Sequence, residues 1–122
     1  MAETNFQNLQ VRNKSSDMVE YVYKVTSNFP SNEKYWLISQ MRRASVSIAS
    51  NIAEWDQRIS IRENIRFLYM AKWSAAEMQS HTIIAHKLWF IDRKIFDGLH
   101  GQIYSILRML SALINYKTKK TH

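Results

Sequence analysis

Gln40-Met41-Arg42-Arg43-Ala44-Ser45-Val46-Ser47-Ile48-Ala49-Ser50-Asn51-Ile52-Ala53-Glu54 and Ile65-Arg66-Phe67-Leu68-Tyr69-Met70-Ala71-Lys72-Trp73-Ser74-Ala75-Ala76-Glu77 are the two runs that decide the fold. In the first, Leu37, Met41, Ala44, Ile48 and Ile52 recur at steps of three or four, which lines apolar side chains along one face of a helix. In the second, Ile61, Ile65, Leu68, Ala71, Ala75, Met78, Thr82 and Ala85 do the same. Polar residues are threaded beside these rows rather than opposite them: Ser47, Asn51, Glu54, Arg66, Ser74 and Glu77.

Working outward, Val11, Met18, Val22, Val25 and Phe29 define an earlier helix over about 7–28, ended by Pro30, which disfavours helical geometry at Phe29. Ser31-Asn32-Glu33 then offers a cap for a second helix over about 32–55, followed by a bend at Asp56-Gln57-Arg58. Ser60 and Glu63 fit a capping box that opens a third helix over about 60–89, roughly 45 Å long at 1.5 Å per residue. Phe67, Tyr69, Met70 and Trp73 lie outside its main row, so it is apolar on two sides and needs two partners. Asp92 caps a fourth helix over about 92–116, striped by Ile95, Leu99, Ile103, Ile106, Leu110 and Leu113. Residues 1–5 and 117–122 are expected to be disordered.

One Pro and two Gly in 122 residues leave little material for hairpins, so the pattern predicts a single all-α domain, an antiparallel up-down-up-down four-helix bundle. Its surplus apolar surface predicts contacts between copies. The absence of Cys rules out a disulfide framework and permits a reducing compartment. The start of the chain lacks the basic and apolar regions of a secretory signal, and no apolar run approaches the roughly 20 residues of a membrane span, so a cytoplasmic location is expected.

The formal charge is +7. From Asp92 onward, Arg93, Lys94, Arg108, Lys117, Lys119 and Lys120 stand against only Asp92 and Asp97, which suits a polyanionic partner. Candidate phosphate contacts are Arg42, Arg43, Arg58, Arg62, Lys72, Lys87, Arg93 and Lys94. Such residues make salt-sensitive contacts that carry little sequence preference. The simpler account of the same residues is a solvated surface.

Asn51 and Glu54 are neighbours on one helical face, and Ser74 and Glu77 repeat that spacing. With Ser47 and Arg66 they make a candidate structural polar network, in which Arg66 or Arg43 would partner a buried carboxylate. A catalytic acid pair would need a nucleophile or metal that the sequence does not supply. His81 and His86, five apart, point about 140° away from each other on a helix, unlike a zinc pair. Neither a phosphate-cradling Gly-rich loop nor a cofactor motif is present.

The run 40–54 with Arg66-Phe67-Leu68-Tyr69-Met70-Ala71-Lys72, together with Tyr35 and Ile91-Asp92, resembles the small bacterial four-helix proteins encoded in intervening sequences of 23S rRNA genes. Their superfamily includes the accessory variability determinants of diversity-generating retroelements. The resemblance implies a ring-shaped homopentamer without catalytic residues. It implies binding to RNA or DNA, or alternatively a scaffold role as partner of a reverse transcriptase.

Against that family, Trp36, Trp55, Trp73 and Trp89 fall where Gly is usual, Ala49 where Pro is common, and Arg12 in place of a Trp. Overpacking costs about 1–3 kcal/mol per site, and Gly at helix ends often adopts a positive φ that Trp resists. One explanation is a UGA codon that means Gly in the source and is read as Trp in translation. The other is genuine Trp at subunit interfaces, which requires helical backbone at Trp55 and Trp89.

Overall fold

The computed structural model consists of α1 (Ala2–Thr26), α2 (Tyr35–Gln57), α3 (Ile61–Lys87) and α4 (Arg93–Lys120). It describes the backbone of residues 2–30, 35–57 and 60–120, and the side chains of 7–30, 35–57 and 60–119. No strand occurs among the described residues. The expected Ser31-Asn32-Glu33 cap and Arg58 lie outside them.

Consecutive helices pack on one another and α1 closes on α4, with no close backbone approach between α1 and α3 or between α2 and α4 among the described residues. Cross-helix bonds set the directions. Arg12 Nη1 meets Asp56 Oδ2 at 2.8 Å and Asn8 Nδ2 donates to Asp56 Oδ1 at 3.2 Å, joining the start of α1 to the end of α2. Arg42 Nε donates to Thr26 Oγ1 at 2.9 Å, joining the start of α2 to the end of α1. The rings of His86 and Phe96 stack at 4.6 Å, joining the end of α3 to the start of α4. The bundle is therefore antiparallel throughout.

Its core is built from Met18 and Val22 of α1, Leu37, Met41, Ile48 and Ile52 of α2, Leu68 and Met78 of α3, and Leu99, Ile103, Ile106 and Leu110 of α4, all fully buried. The α3 register differs from the sequence expectation. Buried positions run Asn64, Leu68, Ala71, Ala75, Met78, Thr82 and Ala85, while Ile61 is 44% exposed and Ile65 half-buried. The steps of four and three begin at Asn64 because its Nδ2 donates to the Trp55 carbonyl at 2.9 Å. That bond satisfies a carbonyl in the last turn of α2, which has no partner within its own helix.

Helix ends also depart from expectation. Ser60 occupies the N-cap of α3, but its side chain makes no capping bond, so the predicted capping box does not form. Residues 2–5 and 117–120, expected to be disordered, are helical. Neither stretch holds a Pro or Gly to interrupt its helix, and the terminal lysines sit favourably at the negative end of the α4 dipole.

Asp92 does cap α4. Its Oδ1 accepts from the Ile95 N–H at 2.8 Å while its carbonyl accepts from Phe96 at 2.9 Å. Replacing Asp92 with Ala is expected to destabilise the bundle by about 1 kcal/mol, read as a lowered denaturant midpoint with an unchanged m-value.

Candidate nucleic-acid and assembly interface

The α2–α3 seam carries the polar set. Ser47 and Ser74 share a hydroxyl–hydroxyl bond of 2.8 Å, and Asn51 Nδ2 donates to the Ser47 carbonyl at 2.9 Å and to its Oγ at 3.3 Å. These three form a half-buried knot. Small side chains let the helices approach there, and bonding to each other satisfies groups that would otherwise be desolvated without compensation. Above the knot lies an open cleft lined by Ser47, Asn51, Arg66, Met70, Trp73, Ser74 and Glu77.

The carboxylates behave differently from the expectation of burial against arginine. Glu54 and Glu77 are exposed, as are Arg66 and Arg43. Glu77 Oε1 lies 3.4 Å from His81 Nε2, one turn along α3. An exposed carboxylate keeps most of its hydration, so neither charge requires a buried guanidinium to offset it. Ser47, Asn51 and Ser74 bond to one another at the seam, with Glu77 and Arg66 lining the cleft beside them.

The basic candidates fall in separate places. Arg42 serves the α1–α2 seam: besides Thr26, it reaches the Tyr23 carbonyl at 3.5 Å and lies 4.5 Å over the Tyr23 ring. Its guanidinium is thereby held against α1 through Nε, whereas Arg43 is exposed. Arg62 is exposed at the start of α3, and Lys72 is half-buried at mid-helix. Lys87, Arg93 and Lys94 are exposed and bracket the α3–α4 turn, at the opposite end of the bundle from Arg62. Arg93 Nε also contacts Asp97 Oδ1 at 3.2 Å, a solvent-exposed pair worth little.

Sequence inspection overlooked Asn64 and Thr26. Thr26 is buried, donates to the Val22 carbonyl at 2.7 Å and receives Arg42. The signal for Asn64 was its position, four residues before Leu68 in the apolar row. Among the described residues, His81 lies beside Glu77 one turn along α3, and the rings of His86 and His100 each stack with that of Phe96, at 4.6 and 5.6 Å. No helix of the described residues is long and apolar enough to cross a membrane.

The family model for the 23S rRNA-intervening sequence protein matches residues 7–112. The chain belongs to that family. A crystal structure of a protein of unknown function from the S23 ribosomal protein family, from Bacteroides thetaiotaomicron, superposes with a TM-score of 0.82 at 22% identity, covering 89% of this chain and 98% of that one. At that identity the likeness establishes the shared bundle. No curated protein matches. The matched span of this 23S rRNA-intervening sequence protein family member takes in the Ser47–Ser74 knot and the α3–α4 turn, and ends before the tail of α4.

Proposed function

We propose that this protein is a non-enzymatic homo-oligomer that binds nucleic acid, RNA foremost, through repeated basic surfaces. The observation that carries the binding role is the grouping of Lys87, Arg93 and Lys94 around the α3–α4 turn in a chain of net charge +7. A compact cationic end gives modest attraction in one copy. In a ring of five, the stoichiometry that the family resemblance implies, one polymer meets several such ends at high effective concentration. Binding then depends on phosphates more than bases, so the expected signature is a steep loss of affinity with salt and weak sequence preference. Salt-insensitive binding to a protein partner alone, such as a reverse transcriptase, would replace this reading with the scaffold role.

Support for self-assembly comes from apolar surface that one copy leaves open. Val46 of α2 and Tyr69, Ile83 and Ile84 of α3 are each about two-fifths exposed, and Leu9 is more than half exposed. Surface of this kind on a small domain marks contact sites when it is contiguous. The α2–α3 cleft offers shape as well, with small hydroxyl side chains at its floor. Ser74→Arg is expected to convert the assembly to single chains by filling that cleft with a charge, as measured by light scattering after size exclusion. A wild-type protein whose molar mass equals one chain at every concentration would overturn the assembly.

A further inference from the structure

Trp is usually buried, and its indole N–H usually finds a partner when it is. All four tryptophans of this chain break one of those rules. Trp36, Trp73 and Trp89 are 53%, 67% and 88% exposed, and Trp55 is 1% exposed with an indole nitrogen that has no hydrogen-bond partner among the described residues. Trp89 breaks a third rule. It has φ 65, the only positive φ at a non-glycine position among the described residues.

The local geometry at Trp89 is specific. Its N–H donates to the His86 carbonyl at 3.1 Å, while the Phe90 N–H reaches back to the Ala85 carbonyl at 2.9 Å. This pair of bonds is the Schellman closure of a helix, and the residue at its left-handed corner is usually glycine, because a Cβ there collides with the backbone. The tertiary fold enforces that corner. Phe90 packs edge-on against Phe29 at 5.5 Å and Ile91 is buried, so the chain must reverse within the turn that Asp92 then caps.

Composition points the same way. The chain holds two Gly and four Trp in 122 residues, whereas average usage of about 7% Gly would supply eight or nine. Three tryptophans in solvent and a fourth in the core without a described partner for its indole nitrogen, beside a deficit of the residue that one of those sites demands, point to a common cause. We propose that codons 36, 55, 73 and 89 are UGA, decoded as glycine in the organism of origin, and that the native protein carries glycine at all four positions.

The consequence reaches the assembly surface. Glycine at position 73 removes the bulkiest side chain on the wall of the α2–α3 cleft, beside Ser47, Asn51 and Ser74, and lets a second backbone approach closely. The inference itself does not rest on RNA binding or on assembly.

Two measurements test it. Reading the gene should show UGA at all four codons, and tandem mass spectrometry of the protein from its own source should show glycine there; UGG at any of the four, or tryptophan in a native peptide, overturns the proposal. Independently, recombinant Trp89→Gly should raise Tm by about 3–6 °C, scaled for a domain of this size, while Trp89→Ala should not match it, because only glycine is free of the left-handed penalty. An Ala variant as stable as the Gly variant would sink the backbone argument.

Discussion

Affinity for a generic RNA is expected to fall about a thousandfold as salt rises from roughly 50 to 200 mM, the loss that goes with six or more neutralised phosphates. No single copy would produce so steep a slope, because the cationic groups are dispersed: Arg62 near one end, Lys87, Arg93 and Lys94 at the other, and Arg42 committed to Thr26 and Tyr23. A steep slope therefore reports several copies acting on one polymer. Replacing Lys87, Arg93 and Lys94 together with Ala should flatten the slope by about one unit for each phosphate no longer neutralised, with helicity unchanged. The contrast is Arg42→Ala, which should lower stability and leave the slope alone. Binding that ignores salt, or a slope untouched by the triple variant, would remove the proposed surface.

Leu68→Ala should destabilise the bundle by about 2–5 kcal/mol, which for a domain of this size lowers Tm by on the order of 10 °C. Leu68 is fully buried, and truncating it leaves a cavity among helices held by bonds at both ends. Ile61→Ala is its partner experiment. At 44% exposure, Ile61 should cost within about 0.5 kcal/mol in an isolated chain. Equal losses for the two would show that α3 is rotated or that a second copy covers Ile61. Melts must be compared at matched protein concentration, since assembly stabilises by mass action.

The existence of four helices, their antiparallel order and most of the core could be read from the chain alone. Spacing by three and four is a local geometric property, so Met41, Ile48 and Ile52 announce their face without a partner, as do Ile103, Ile106 and Leu110. Asp92 was equally legible, because a cap acts within three residues. Ser60 shows the limit of such local signals. It stands at the N-cap, yet its side chain makes no capping bond, and the first turn of α3 is instead tied to α2 through Asn64.

Only the tertiary structure decided what depends on two elements meeting. The choice of Asn64 over Ile61 as the start of the buried α3 row follows from the Trp55 carbonyl, nine residues away in sequence and on another helix. Arg42 left the pool of free cations because Thr26 and Tyr23 lie across the α1–α2 seam. Glu77 proved to be exposed on the rim of the cleft between α2 and α3, whereas Ser47 and Ser74 closed on each other. Helical period specifies a face and its polarity; which of two adjacent positions turns inward, and which charge finds a partner, is set by the side chains of the neighbouring helix, and that neighbour exists only once the chain has folded.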